Sequence, residues 1–304
     1  MQMTDGLSLY PLASIGFIAG LVALILASIF VRADRLETAS SLAIIGSGFR
    51  LVGKKVRESL FALAGFTVLS IVSGLSWLIV DDGRTLTLLA DTVIGITAVF
   101  ALHRLWLRHD AEMLGANLLH GSVTGVFIRG WMVGFYAALP IVGLLLLAAI
   151  VSIFISGTPL NFFAAALAAL VPFATIFGAR ATLMVPAAAL GRNPGGREAF
   201  RLSKGVGLQL AGALWLIAVF TLAPSQILSW ALNEQAVYPM SGSDTLVWIV
   251  FSVIEGALLL LHIALSVAAV SATFRDAILL KNGPCLPEAD PESENAAPGG
   301  GASE

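Results

Sequence analysis

The stretch MVGFYAALPIVGLLLLAAIVSIFI, residues 132–155, decides the fold class because it carries no charged side chain. A helix needs about 20 consecutive apolar residues to cross the ~30 Å hydrocarbon core of a bilayer. In lipid, every backbone N–H and C=O group must find its partner inside the segment or in a closed barrel. An uninterrupted apolar run of this length therefore predicts a transmembrane helix.

Six other stretches share this apolar character, and the whole chain of 304 residues is 58% hydrophobic and 12% charged. Such a composition excludes a soluble domain with a polar surface. The alternating pattern of a membrane β-barrel is absent from the sequence. We predict an all-α polytopic bundle with spans at about residues 11–31, 59–80, 86–106, 132–155, 161–182, 206–223 and 246–272.

The basic residues predict how the chain is threaded through the membrane. All but one of the 17 Lys and Arg residues fall in or beside the loops of one side, and only Arg84 falls on the other. Positive charge is retained on the cytoplasmic side of a membrane. We therefore predict that the N-terminus lies outside the cytoplasm and the C-terminus inside.

The chain divides into three predicted regions. Residues 1–32 form an uncleaved anchor span, residues 33–281 form a six-span domain, and residues 282–304 form an acidic tail that contains the only cysteine, Cys285. The tail is rich in Pro, Gly, Glu and Ser, which is typical of disordered segments. A single cysteine excludes an internal disulfide.

The six-span domain shows a pattern that repeats three times: a basic amphipathic segment followed by a helical hairpin. Arg50, Arg129 and Arg201 mark the three basic segments. In the first segment, a three-four spacing predicts one apolar helix face formed by Leu42, Ile45, Phe49, Val52 and Val56.

The third basic segment is GRNPGGREAFRLSKG, residues 191–205. Asn193 is a good helix cap and Pro194 suits the first helical position, so we predict a helix that begins there. Its basic face would hold Arg197, Arg201 and Lys204, with Ala199, Leu202 and Val206 on the opposite face.

Such a helix lies in the membrane interface, with its cations toward anionic headgroups. Topology and anchoring alone would also account for this charge. The alternative is a phosphate or lipid-headgroup site built by the three basic segments together. The predicted headgroup contacts are Arg50, Lys54, Arg57, Arg129, Arg197, Arg201 and Lys204.

Span one carries small residues on one face, including a G-x-x-x-G step at Gly16 and Gly20. Small residues let two helix backbones approach closely in membranes. The face predicts packing against the protein's own helices, and a homodimer contact or a membrane-protein partner is the alternative.

The run RATLMVPAAALGRNPGGREAFRLSKG, residues 180–205, resembles a segment of bacterial polytopic membrane proteins related to the membrane domain of glycerophosphodiester phosphodiesterases. The matching positions are Arg180, Pro186, Gly191, Ala199, Phe200, Ser203, Lys204 and Gly205. The resemblance implies a multi-pass module of the bacterial inner membrane with no assigned role. It does not imply an esterase, because a hydrolase barrel needs about 250 further residues.

The sequence contains no recognisable catalytic or cofactor motif. The four histidines have no metal-ligand spacing, and no phosphate-binding loop follows a strand. We therefore predict no cofactor, no metal, no nucleic-acid partner and no enzymatic activity.

Ionisable groups inside spans are the remaining candidates, because they are costly in the membrane and often functional. Asp91 lies in the third span, and Glu255 lies near the middle of the seventh. Helical periodicity places Ser252, Glu255, His262 and Ser266 on one polar stripe of the seventh span. This stripe predicts hydrogen bonds to neighbouring helices, and a proton or substrate pathway is the alternative.

The first-ranked function is a non-enzymatic inner-membrane protein that organises or senses lipid, or holds partner proteins. A small secondary transporter that uses Asp91, Glu255 and His262 ranks second, because the first, fourth and fifth spans contain few polar residues for a transport path. An intramembrane lipid-modifying enzyme ranks third, since no nucleophile and base can be paired in the sequence.

Overall fold

The computed structural model of the protein describes residues 9–31, 40–76, 83–110, 120–156, 158–192, 195–235 and 242–282. Within these ranges the regular elements are helical and no strand occurs. The predicted all-α class is confirmed. The tail from residue 283 onward, with Cys285, lies outside the described residues, as do Asn193 and Pro194.

Ten α-helices and one short 3₁₀ turn, Arg108–Asp110, follow one another along the described chain. The helices are α1 Leu9–Phe30, α2 Ser41–Gly53, α3 Val56–Ser76, α4 Gly83–Leu107, α5 Val123–Phe154, α6 Thr158–Ala181, α7 Met184–Ala189, α8 Gly196–Leu202, α9 Gly207–Gln235 and α10 Gly242–Asn282.

Five segments of the described chain are long and apolar enough to cross a membrane. They are Pro11–Phe30, Val123–Phe154, Pro159–Ala189, Gly207–Pro224 and Gly256–Leu279. These segments overlap the first, fourth, fifth, sixth and seventh predicted spans. The second and third predicted spans fall on α3 and α4, where only Thr92–Leu107 qualifies as a shorter apolar helix. The protein is thus a multi-pass helical membrane protein by length and composition.

Each of the three predicted hairpins brings its two helices into contact: α3 with α4, α5 with α6, and α9 with α10. The second basic segment is not a helix of its own. Arg129 lies in the first turns of α5, which continues unbroken from Val123 to Phe154. The layout therefore contains three hairpins, while the basic segments differ in structure from one hairpin to the next.

The largest hydrophobic cluster lies at one end of the bundle, where the basic segments meet. It joins α2, α7 and α8 to the ends of α4, α6 and α10 and to the start of α9. Helix α7 is enclosed in it, and its Met184 and Ala189 are fully buried. The other cluster members on these elements include Ile44, Leu107, Ala179, Ala199, Leu210 and Phe274. The short helices α2, α7 and α8 are thus part of the protein core.

Helix α2 buries a different face from the predicted apolar one. The buried face is formed by Ser41, Ile44, Gly48 and Leu51, whereas Leu42 and Phe49 of the predicted face are more than half exposed. Helix α2 packs against α9 and α10, and its small residues let those helices approach closely. Leu42 and Phe49 consequently point away from the bundle.

A turn built on Gly191 ends α7. The Arg192 N–H donates to the Ala187 carbonyl at 2.9 Å, and the Gly191 N–H donates to the Ala188 carbonyl at 3.1 Å. Gly191 has a φ of 76°, a value that glycine adopts without steric cost. The next helix, α8, begins at Gly196 with Gly195 as a cap that offers no side chain. The predicted start of this helix, Asn193 and Pro194, lies outside the described residues.

The small face of α1 packs against α6 of the same chain. A Cβ atom on Gly16 would collide with the backbone of Ala165, and one on Gly20 would collide with the backbone of Ala169. The predicted packing against the protein's own helices is what the structure contains. A homodimer through Gly16 and Gly20 stays a prediction, and it would require α6 to leave this face.

Candidate functional site

A cavity of about 440 Å³ lies between α4, α5, α6, α9 and α10 and is partly open to the outside of the bundle. Val185 of α7 also contributes to its wall, so the cavity adjoins the buried end of the bundle. Most of the described lining is aliphatic. Its polar side chains are His103, Thr175, Thr182, Trp215, His262 and Ser266. Among the lining residues that the structure describes, none is acidic, Lys or Arg.

His262 of α10 is held by α9. Its Nδ1 lies 3.0 Å from Thr221 Oγ1, and the Thr221 hydroxyl donates to the Ile217 carbonyl at 2.6 Å. Since a hydroxyl has only one proton, Thr221 can only accept from His262. Nδ1 therefore carries the proton of the neutral ring, and Nε2 is left with a lone pair. We assign this tautomer from the hydrogen-bond network.

His103 of α4 is the second histidine of the cavity, and it is almost completely buried. Its Nδ1 lies 2.7 Å from the hydroxyl oxygen of Ser271 on α10. This bond joins two helices that are far apart in the sequence. Burying a polar side chain without a hydrogen-bond partner is costly, so the bond to Ser271 offsets the cost of burying His103.

Trp215 and Thr175 form a polar contact across the cavity wall between α9 and α6. The indole N–H of Trp215 donates to Thr175 Oγ1 at 2.9 Å, and the Thr175 hydroxyl donates to the Pro172 carbonyl at 2.5 Å. Trp215 also meets Phe17 of α1 edge to face, with ring centroids 5.8 Å apart. The Trp215 side chain of α9 is thus held by contacts with α6 and α1.

The polar stripe predicted on the seventh span is only partly testable in the structure. His262 and Ser266 both line the cavity. Asp91, Ser252 and Glu255 occupy helical positions in α4 and α10, and their side chains lie outside the described part of the chain. The predicted use of Asp91 and Glu255 together with His262 therefore stays a prediction. The partner of His262 in the described structure is Thr221.

His103, Thr175 and Trp215 belong to the cavity and were not predicted from the sequence. Neither His103 nor Trp215 shares a helix with the predicted stripe. A lone histidine near the end of an apolar helix gives no signal of which residue it meets. Only the packing of α4 on α10 reveals that partner.

The predicted headgroup contacts lie at the end of the bundle that holds the large hydrophobic cluster. On α8, Ala199 and Leu202 are buried in that cluster, and Val206 follows them, as predicted for the apolar face. Arg197, Arg201 and Lys204 are exposed. Helix α8 therefore holds its cations outward because its other face is packed in protein.

The remaining predicted contacts lie on α2, in the turn after it, at the start of α3 and at the start of α5. Arg50, Lys54 and Arg57 are exposed, and Arg129 is partly buried with a guanidinium nitrogen 3.1 Å from Met132 Sδ. The neighbouring Lys55 was not among the predictions. Its ammonium donates to the Leu105 carbonyl at 2.6 Å and so binds the C-terminal end of α4.

Glu198 is the acidic residue of α8, and its carboxylate reduces the positive charge of the basic surface. One of its carboxylate oxygens lies 3.9 Å from both Arg192 and Arg201. Both distances are at the long limit for an ion pair, and the Arg201 side chain stays 62% exposed. Pairs of this kind contribute little to stability. Arg201 therefore remains accessible to an anion beside Arg197 and Lys204.

Arg180 has a different role from the exposed cations. It donates from Nη2 to the Phe200 carbonyl at 2.6 Å and from Nε to Ser203 Oγ at 3.1 Å. Its guanidinium also lies over the Phe200 ring, 4.9 Å from the ring centroid. The Phe200 carbonyl is one of the last carbonyls of α8, which lack helical partners. Arg180 thus ties the end of α6 to the end of α8.

The described residues contain no group of three or more His, Cys, Asp or Glu side chains that could hold a metal ion. Comparison with protein family models, with curated proteins and with solved structures finds no match to this chain. The resemblance of residues 180–205 to bacterial membrane modules therefore stays a prediction.

Proposed function

We propose that this protein is a non-enzymatic integral membrane protein that binds and organises anionic lipid at its basic end. The observation that carries the proposal is the setting of Arg197, Arg201 and Lys204. All three are exposed, and α8 is fixed behind them by the buried Ala199 and Leu202. Arg197 and Arg201 lie on this packed helix and Lys204 lies in the turn that follows it, so the cations keep their spacing, which favours headgroup binding over mere attraction to the surface.

The cations of α2, of the turn after it and of the start of α3 extend the same surface. Ile44 of α2 and Ala199 of α8 belong to one hydrophobic cluster, so both helices lie at the same end of the bundle. Arg50, Lys54 and Arg57 are exposed there. Several basic side chains near an anionic leaflet each contribute about 1 kcal/mol to binding. A partner protein with an acidic surface would be attracted by the same charges.

We further propose that the basic end faces the cytoplasm of a bacterial cell, with seven spans and an external N-terminus. Ser156, in the short connection between α5 and α6, and Arg197 on α8 are both exposed and suit a labelling test. In a Cys285→Ser background, we expect Ser156→Cys to react with a membrane-impermeant maleimide on intact cells. Arg197→Cys should react only after the cells are opened. Labelling of Arg197→Cys from outside would contradict the threading.

Lipid binding is tested by removing the charge of α8 while keeping its fold. In Arg197→Gln, Arg201→Gln, Lys204→Gln, the loss of three cations at about 1 kcal/mol each should weaken phosphatidylglycerol binding about 100-fold. Binding to phosphatidylcholine should not change. We would measure bound lipid by native mass spectrometry of protein extracted from nanodiscs of each composition.

The matched control exchanges the same residues and keeps the charge: Arg197→Lys, Arg201→Lys, Lys204→Arg. It should bind phosphatidylglycerol as the wild type does. Because α8 is held by its buried face, the thermal unfolding temperature of both triple variants should stay near that of the wild type. Wild-type affinity for phosphatidylglycerol in the glutamine variant would exclude this surface as the lipid site.

A secondary transporter is the second candidate function, and the cavity favours it. Two histidines line that cavity. His262 also belongs to the stripe for which a proton or substrate pathway is the alternative prediction. Purified protein in liposomes, under an imposed pH gradient, separates the two functions. Solute flux that depends on the gradient and disappears in Glu255→Gln, with unchanged unfolding, would favour the transporter over the lipid-binding role.

A further inference from the structure

We propose that the cavity between α4, α5, α6, α9 and α10 binds an uncharged long-chain molecule that carries a hydroxyl group, a long-chain alcohol, with His262 accepting a hydrogen bond from the hydroxyl. The volume of about 440 Å³ falls within the range of small-molecule sites, roughly 300–1,000 Å³. The site is separate from the basic surface proposed above, and it shares none of its residues.

The lining determines the charge of the ligand. Val99, Val133, Leu214 and Val270 are among the aliphatic residues that surround the cavity, and the lining residues that the structure describes include no acidic or basic side chain other than the histidines. An ionised headgroup would lose its hydration without gaining a counter-ion, which is costly in a low-dielectric site. A neutral molecule with a long apolar part avoids this cost.

The hydrogen bonds of the wall determine the polar group of the ligand. His262 donates through Nδ1 to Thr221, so its Nε2 is the ring atom that remains to accept a hydrogen bond. Within the described part of the chain, Nε2 has no partner. The ligand should therefore offer a proton, as an alcohol does and as an ether or an ester does not.

The hydrogen bonds of the other polar side chains in the cavity wall are also compatible with a ligand hydroxyl. The protons of Trp215, Thr175 and Thr182 are all donated within the protein, to Thr175, Pro172 and Ala179 respectively. Ser266 lies one turn beyond His262 on α10 and lines the same cavity. A ligand hydroxyl that donates to His262 can accept from Ser266. A hydroxyl fulfils both roles with one atom.

The experiment compares tritiated 1-dodecanol with its tritiated methyl ether, which differs in lacking the hydroxyl proton. Both are added at equal mole fraction to protein in phosphatidylcholine nanodiscs, and binding above empty nanodiscs is counted. One net hydrogen bond of about 1–1.5 kcal/mol should make the alcohol bind about tenfold more tightly than the ether. His262→Phe should reduce binding of the alcohol to the level of the ether.

Two further variants separate the cavity from the rest of the protein. Ala218→Leu fills part of the cavity and should weaken both probes. His120→Phe changes an exposed histidine and should change neither. The glutamine triple variant of α8 should also bind both probes normally, so that failure of the lipid proposal and failure of this one are distinguishable.

A second readout does not depend on the His262→Phe variant being folded. In protein labelled with ¹⁵N-histidine, the signal of the His262 Nε2 atom should shift when dodecanol is added and stay unchanged with the ether. Ser266→Ala, which keeps the histidine, assists the assignment and should weaken alcohol binding. Equal binding of alcohol and ether by the wild type, or an alcohol preference that survives in folded His262→Phe, would overturn the proposal.

Discussion

Replacing Arg180 with methionine is expected to lower the free energy of unfolding by about 3 kcal/mol, the largest effect of any single substitution at the basic end. The variant loses two hydrogen bonds from a charged donor, to the Phe200 carbonyl and to Ser203. It also loses the contact of the guanidinium with the Phe200 ring. Bonds to charged groups contribute about 1.5–3 kcal/mol each, and a cation over a ring contributes about 0.5–2 kcal/mol. Thermal unfolding of purified protein in detergent measures the change.

Two controls separate the geometry of Arg180 from its charge. Arg180→Lys keeps the charge but cannot reach both acceptors with one planar group, so it should recover less than half of the loss. Arg197→Met removes an exposed cation from the neighbouring helix and should change unfolding by less than about 0.5 kcal/mol. Equal stability of Arg180→Met and Arg197→Met would show that the tie between α6 and α8 contributes nothing.

Arg180 also changes the interpretation of the sequence that resembles bacterial membrane modules. Several of its matching positions have structural roles here. Gly191 ends α7, Ala199 is buried in the large cluster, and Phe200 and Ser203 bind Arg180. A pattern that holds one end of a bundle together can recur among proteins with different functions. In this protein the matching positions thus serve the packing of one end of the bundle.

The helices could be predicted from the sequence because lipid leaves few alternatives to them. A long apolar run must satisfy its own backbone, so its secondary structure follows without knowledge of its neighbours. The direction of α2 could not be predicted in this way. Both faces of α2 contain apolar residues. Which face is buried depends on Gly48, which packs against the backbone of Ala268 and Ala269 in α10.

The cavity was only partly predictable for the same reason. His262 and Ser266 lie on one helix, and helical periodicity alone places them on one face. His103 comes from a different helix and meets Ser271, 168 residues further along the chain. The tautomer of His262 depends on Thr221, a residue that no sequence pattern distinguishes. Sites built from several helices require tertiary contacts, which periodicity does not contain.

The contact between α1 and α6 offers a second large effect, with an internal control in the same chain. G-x-x-x-G steps occur in α1 at Gly16 and Gly20 and in α5 at Gly130 and Gly134. The first pair touches the α6 backbone. At the second pair, an added Cβ would meet nothing within 4 Å. The same sequence step therefore makes a close helix contact in one helix and faces open space in the other.

We expect Gly16→Leu, Gly20→Leu to destabilise the protein by about 4 kcal/mol, because each added side chain must push α1 away from the α6 backbone at about 2 kcal/mol. The matched variant Gly130→Leu, Gly134→Leu should change unfolding by less than about 1 kcal/mol, since leucine also favours the helix over glycine. Thermal unfolding measures both, and light scattering in detergent reports the oligomeric state. The α1 variant could instead unfold like the wild type while a wild-type dimer becomes a monomer. That result would show that the glycine face joins two copies and that α1 does not pack on α6.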